Sequence, residues 1–346
     1  MKLRLKNTPE QIELVKAMGS REGSVAKEAT EAFAAFIGPV VNKVLMQAAT
    51  ASAIYTDLAF DEDDSPSIPL DLYNEGQGYV TTWSQSVAGG LPTSTVEGLS
   101  EMKLATYRLD SAVSFLKRYA RRGRLDVVSK AVERMSNEVL VKQERNAWAV
   151  LLKSLGESGN VIDVNETTVA FTLNHLNRLI TAMKRKNTSY AGGSTTDAYS
   201  LTDLFVSPEV KQDIRSFAYN AVTNTSTDLP AGAREEIYRG GGTQEIYGVT
   251  IHDLVELGKT QKYQTLFSEF YSSNWNATNN ELVIGLDLTK DAFVRPVARQ
   301  AESGGTFSAI PDDQFLARAD KIGFYGFLEE GRACIDARAV SAVNIY

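Results

Sequence analysis

The sequence predicts an α+β fold in which helical and strand-rich stretches follow one another along the chain. Three observations lead there. Residues 8–48 carry helix-start signals and helical periodicity. Two alternating runs, "IYTDLAF" and "EMKLATYRL", frame a long polar excursion. Residues 118–156, "RYARRGRLDVVSKAVERMSNEVLVKQERNAWAVLLKSLG", open on a basic cluster and continue as one helix-like run, followed by mixed helices and strands to the end of the chain.

In the opening stretch, Thr8-Pro9-Glu10-Gln11 reads as a helix start, with Thr8 as cap, Pro9 at the first helical position and Gln11 completing a capping box. Gly19 ends that helix. A second begins near Ser24 and should break or kink at Gly38-Pro39, because proline lacks the N–H and its ring clashes with the preceding turn. "VVNKVLMQAA" then reads as a third helical piece.

"IYTDLAF" places Ile54, Thr56, Leu58 and Phe60 on one face, as a half-buried strand would, and "EMKLATYRL" alternates in the same way. Between them lie "DEDDSPSIPLDLYNEGQG" and "SVAGGLPTSTVEG", with a shorter alternating run "YVTTWSQSV" that carries Tyr79 and Trp83. An isolated hairpin is only marginally stable in water. A second copy of the chain is the expected support.

In the long helix, Val128, Val132, Met135, Val139, Ala147 and Leu151 form one apolar stripe, and Leu140, Trp148, Leu152 and Leu155 an adjacent one. The stripe is not a sustained heptad seam, which argues against a coiled coil. Asp126 or the preceding turn is the expected cap, and Gly156 the expected stop. Beyond Gly159, "NETTVAFTLNHLNRLITAMKRK" reads as a capped amphipathic helix with Val169, Leu173, Leu176, Ile180 and Met183 on one face. "DLFVSPEVKQDIRSFAYN" reads as a buried strand followed by a Ser-Pro helix start. "VTIHDLVEL", "NELVIGLDL" and "AFVRPVARQ" are strands, and "DKIGFYGFLEEGRACIDARA" is expected to be a hairpin turning at Glu329-Glu330-Gly331.

Of the 346 residues 43% are hydrophobic and 23% charged, which is enough for a sizeable core. No apolar run reaches the roughly eighteen residues of a membrane-spanning helix. "MKLRLKNTPEQIELVK" lacks the apolar centre of a secretory signal. A cytoplasmic start is therefore expected. The net charge of −7 argues against a protein whose main affinity comes from neutralising phosphates.

Candidate chemistry is thin. His175 lies off the apolar stripe of its helix and reads as solvated. His252 and Asp253, adjacent on a strand, point to opposite faces, the wrong geometry for a catalytic relay. The single cysteine, Cys334, excludes an internal disulfide and reads as a small core residue. "DEDD" at 61–64 lacks the alternate spacing and central Gly of a calcium loop. "GGLPTST" and "RGGGTQE" lack the Gly-Lys-Ser/Thr ending of a phosphate cradle. No catalytic, cofactor or metal residue is nominated. Arg121, Arg122 and Arg124, with Tyr119 beside them, have two readings: a nucleic-acid patch, or partners of acidic groups on neighbouring subunits.

Helical arm, long hairpin excursion, rod helix, then a mixed domain with a late returning strand: this order resembles the major capsid proteins of tailed double-stranded DNA bacteriophages, the Hong Kong 97-type fold. The resemblance covers nearly the whole chain. "DKIGFYGFLEEGRACIDARAVSAVNI" is similar to the family's closing pattern and "DLFVSPEVKQDIRSFAYN" to its axial strand-then-helix element. It implies an N-terminal arm at 1–52 and an extended β-hairpin loop at 53–116. A peripheral domain with its spine helix follows at 117–158 and 275–300, and an axial domain at 159–274 and 301–346.

Several functional expectations follow from the resemblance. The protein would be non-enzymatic and assemble with itself as hexamers and pentamers into an icosahedral head, a virion component built in the host bacterial cytoplasm and enclosing DNA without sequence specificity. A portal and a decoration protein are further implied partners. Some family members carry a cleaved N-terminal scaffolding segment; Met1 stands too close to the extended loop for one, so a separate scaffolding protein is expected. Lys103, the only lysine between Lys43 and Lys117, lies in the returning leg rather than at the hairpin tip, and covalent cross-linking of the family's kind is not expected. The candidate inter-subunit contacts are Tyr79, Trp83, Arg121, Arg122 and Arg124. An encapsulin-type compartment of the same fold is the alternative, and a nucleic-acid-binding regulator the alternative of another class.

Overall fold

A computed structural model describes residues 8–48, 51–61, 64–69, 101–164, 170–186, 199–217, 245–271, 275, 277–299, 307–312 and 320–345. The chain divides into two compact units, Met1–Asn146 with Val294–Ala333, and Ala147–Phe293 with Cys334–Tyr346.

The first unit begins with helices α1 (Pro9–Met18) and α2 (Gly23–Ala48). α2 continues through Gly38-Pro39 as helix, where the sequence led to an expected break. Proline inside a helix costs about 3 kcal/mol. Phe33, Ala34, Ile37 and Val41 are buried on either side of it, and each large apolar side chain returns about 1.5–3 kcal/mol, so burial outweighs the local penalty.

Strands β1 (Thr56–Asp61), β2 (Ser67–Pro69), β3 (Glu101–Lys103) and β4 (Thr106–Leu116) follow. β2 and β3 pair antiparallel, Ser67 with Lys103 and Pro69 with Glu101, and close the base of the excursion. On β1 only Phe60 is buried, so its alternation does not mark a shared buried face. A short helix α3 (Lys117–Arg121) leads to α4 (Leu125–Ser158). α4 spans about 50 Å at 1.5 Å per residue. Val128, Val132, Met135 and Val139 are buried in the first unit, and Ala147, Trp148, Leu151, Leu152 and Leu155 in the second. α4 passes through Gly156 and ends at Gly159, whose φ of +64° suits a residue without Cβ. Gly156 serves packing instead: a Cβ there would lie 2.9 Å from Phe270 Cβ.

The first unit's sheet is completed by β10 (Phe293–Arg299), β11 (Ser308–Asp312) and β12 (Lys321–Gly331). β1 runs parallel to β10, and β12 pairs antiparallel with β4 along its whole length, from Lys321–Leu116 to Gly331–Thr106. The turn expected at Glu329-Glu330-Gly331 is therefore absent; the strand runs through it. β11 and β12 thus join the unit that holds the hairpin base. α2 covers one face of this sheet, with Phe33 and Phe324 ring centroids 5.4 Å apart.

The second unit holds β5 (Val161–Val164), α5 (Leu173–Arg185), β6 (Asp203–Val206), α6 (Pro208–Ser216), β7 (Glu245–Ile246), β8 (Val249–Asp253), α7 (Lys262–Phe270), β9 (Glu281–Leu286) and β14 (Val340–Ile345). Between β12 and β14 lies the short β13 (Ala333–Cys334). The sheet order is β5-β14-β9-β6-β8-β7. Every residue of β9 and β14 is buried. Gly285 meets Leu179 of α5 on one face. On the other, Trp148 packs edge-on against Phe205, centroids 5.1 Å apart. α5 starts at Leu173 with Thr172 as cap, later than the sequence suggested. Ser207 caps α6 through its Oγ, which accepts from the Val210 N–H at 3.2 Å, as its Ser-Pro signature predicts.

Candidate functional site

The densest polar cluster of the first unit is centred on Glu330, whose side chain is fully buried. Ile322, Phe324, Leu328 and Glu330 alternate onto one face of β12, so a carboxylate stands where the pattern asks for an apolar group. An unpaired charge there would be strongly destabilising. The chain surrounds it with donors: Arg295 Nε at 2.8 Å, Gln143 Nε2 at 2.9 Å, the Tyr107 hydroxyl at 3.1 Å and Arg332 Nη2 at 3.4 Å. Arg295 also meets Asp57 at 3.4 Å, so two guanidiniums face two carboxylates. Arg332 lies over the Tyr55 ring, 4.8 Å from its centroid. Burial, reinforced by the Glu330 charge, pushes the Tyr107 hydroxyl up to about 12, which keeps it a donor. Tyr107 follows closely on β3, and Thr106 Oγ1 donates to Glu329 at 2.8 Å. The cluster therefore fixes the point at which the excursion rejoins the body.

A second cluster lies in the other unit, at "DARAV". Asp336 accepts the Arg338 N–H at 2.9 Å and caps the 3-10 turn Ala337–Ala339. The Arg338 guanidinium binds the same carboxylate through Nη2 at 2.7 Å and Nε at 3.0 Å, and the Tyr199 hydroxyl donates to it. Burial pushes the Asp336 carboxyl up, but the bonds from Arg338 and Tyr199 outweigh it and hold the group below the usual range. Beside it, Lys186 donates to the Val340 carbonyl at 2.8 Å. Burial lowers that ammonium to about 8, against the opposing pull of Asp336.

His175, expected in solvent, is fully buried. It occupies the third position of α5, and its Nδ1 accepts the Thr172 N–H at 3.2 Å. The helix starts later than expected, and its orphan first-turn donors call for such a partner. His252 Nε2 lies 2.6 Å from Asp203 Oδ1 and its ring stacks on Phe205. Its sequence neighbour Asp253 pairs with Lys211 at 3.2 Å. Cys334 takes a bond from Ser154 at 3.1 Å, and burial pushes its thiol up to about 11. Among the described residues no group of His, Cys, Asp and Glu is placed to hold a metal ion. No helix is long and apolar enough to cross a membrane among them either.

Arg121 donates from Nε to the Gly19 carbonyl at 2.9 Å, tying α3 to the end of α1, and lies 3.9 Å from Asp320. Arg122 and Arg124 are exposed. Tyr79 and Trp83 lie outside the described residues, as do the middle two residues of "DEDD", all of "GGLPTST" and all of "RGGGTQE" but Glu245. The face of the first unit's sheet opposite α2 carries Arg108, bonded to Asp110 at 2.8 Å and lying over Phe327, 4.1 Å from its centroid. Tyr325 donates to Asp110, and Ile310 beside it is 46% exposed. Among the described residues this face is uncovered.

Glu330, Arg295, Arg332, Asp336 and Arg338 were not singled out by the sequence pattern as a site. One signal was present: alternation from Ile322 continues to Glu330, which marks a carboxylate on a buried face.

No protein-family model matches the sequence, and no curated protein matches it. Solved structures do. The mature capsid of bacteriophage PhiM1 aligns with a TM-score of 0.52 at 10% identity, covering 86% of this chain and 87% of that one. The capsid of a native GTA particle gives 0.52 at 12% identity, covering 86% and 90%. The capsid of Cyanophage P-SCSP1u gives 0.50 at 13% identity, covering 84% and 86%. The chain has the α+β fold of these capsid proteins, the Hong Kong 97-type fold that the sequence resembles.

Proposed function

We propose that the chain is the major capsid protein of a tailed double-stranded DNA bacteriophage, assembling as hexamers and pentamers into an icosahedral head around DNA. The observation that supports this reading is the capsid fold extending over 84–86% of the chain. Its chemistry is association. In this reading the hairpin beyond the β2–β3 base overlaps an adjacent subunit, and the N-terminal arm reaches beneath another. The loops at 187–200 and 223–245 stand nearest the capsomere axis. Arg121, Arg122, Arg124, Tyr79 and Trp83 contribute inter-subunit contacts. A separate scaffolding protein, a portal and a decoration protein complete the particle, and the net charge of −7 suits a wall that holds DNA without gripping it.

The test uses the hairpin base. β2 ends at Pro69 and β3 starts at Glu101, so replacing residues 70–100 by an Asn-Gly turn keeps that pairing. Expressed with its neighbouring genes, the wild-type chain should form closed shells containing nucleic acid, visible by electron microscopy. The shortened chain should stay soluble and form none. Normal shells from it would overturn the hairpin's role, and an enzyme inside wild-type shells in place of nucleic acid would point to a cargo compartment.

A further inference from the structure

The β7–β8 hairpin turns on two residues, Tyr247 and Gly248, with φ of +54° and +76°. Positive φ at both central positions is the geometry of a type I′ turn, whose first position favours Asn, Asp or Gly because a larger side chain crowds the backbone there. A tyrosine in that place is a strained choice. Among the described residues two other non-glycine residues have positive φ, and the chain itself holds both. The Asp320 carbonyl accepts the Lys117 N–H at 2.8 Å, and the Thr260 N–H reaches the Ala277 carbonyl at 2.9 Å. Tyr247 is 58% exposed, and among the described residues no hydrogen bond or ring contact involves its side chain.

The turn is nevertheless well anchored. Its flanking residues, Ile246 and Val249, are 7% and 1% exposed, pair with each other and belong to the second unit's core. β7 is the last strand of its sheet. A large amphipathic ring is thus presented at a sheet edge by a backbone already fixed in place, so little freedom is lost when it is buried. The hairpin's own pairing holds the strained backbone, yet among the described residues the exposed ring has no hydrogen bond or ring contact that this fixed placement serves, which directs attention to a contact outside the chain. Tyrosine is enriched among residues that anchor protein interfaces.

We infer that Tyr247 is a self-assembly anchor, its ring buried against a second copy of this chain. The inference rests on the shell-forming reading above, which supplies the second copy. Wild-type, Tyr247→Asn and Tyr247→Phe chains, each full-length and expressed with the neighbouring genes, separate the two. Asn suits the turn and removes the ring. It should leave the melting temperature of the unassembled subunit unchanged or raised, and lower the fraction of subunits in shells by about tenfold or more, as loss of a central aromatic anchor does. Phe keeps the ring and should assemble close to wild type. A Tyr247→Asn chain that assembles like wild type overturns this inference alone. A melting temperature lowered by several degrees in that chain assigns Tyr247 to folding and also overturns it. A wild-type chain that forms no shells overturns the proposed function and takes this inference with it.

Discussion

Strands β12 and β14 bury themselves in opposite ways. β14 is buried at every residue, enclosed on both faces within its own unit. β12 alternates, its even-numbered residues against α2 and the core, its Tyr325 and Phe327 on an uncovered face among the described residues. The second unit's sheet is completed from within. The first unit's sheet has a finished side and an open side, and its finished side carries the buried Glu330 cluster. The difference separates a sheet enclosed within its own unit from one with a face uncovered among the described residues. It also gives the two units different weak points: charge compensation in one, tight apolar packing in the other.

The sharpest way to break the first unit is therefore Glu330→Gln. The amide leaves Arg295 and Arg332 without the carboxylate they converge on, and removing one partner of a buried ion pair costs about 3–5 kcal/mol. Urea unfolding of the subunit should show that loss. A change below about 1 kcal/mol would mean that the cluster contributes little and that β4–β12 pairing alone holds the hairpin base.

In the second unit the corresponding probe is Gly285→Ala in β9. The added Cβ would stand 2.5 Å from Leu201 Cδ1 and 2.9 Å from Leu179 Cδ2. Both atoms are ends of flexible side chains, so the core gives way at a cost of about 1–3 kcal/mol. The loss should be smaller than that of Glu330→Gln. A larger one would reverse the comparison and make apolar packing the more brittle of the two devices.

How much of this was legible in the sequence differs between the units for the same reason. Period-2 and period-3.6 patterns report burial, so the rod helix, its apolar stripe, the Ser207 cap and the buried strands could be read directly. What a pattern cannot report is the partner of a polar group. Glu329-Glu330-Gly331 looks like a turn because two carboxylates and a glycine are unusual inside a strand. The strand continues because Arg295, thirty-five residues earlier, neutralises Glu330. A stripe drawn through Ile180 puts His175 in solvent, whereas the buried face of the helix is Leu173, His175, Leu176, Leu179 and Met183, and with Thr172 as cap the ring accepts a backbone donor. At Gly38-Pro39 local rules predict a break, and the burial of Phe33, Ile37 and Val41 overrides them.

The finest contrast lies in alkaline stability. Lys186, in the second unit, sits near 8 instead of its ordinary 10.5 because of burial. Between those values the unfolded chain binds more protons than the folded one, so stability should rise as pH climbs through that window and stay level below it. Tyr107, in the first unit, is pushed from 10 to about 12. There the folded chain keeps the proton longer, and stability should fall from pH 10 to about 12. Lys186→Met removes the first slope and leaves the second. Denaturant midpoints at about pH 7.5 and about pH 8.5, below the range in which burial raises the Cys334 thiol from 9.0 to about 11, should differ for wild type and converge for the variant. An unchanged slope in Lys186→Met would show that another group of the molecule titrates in that window.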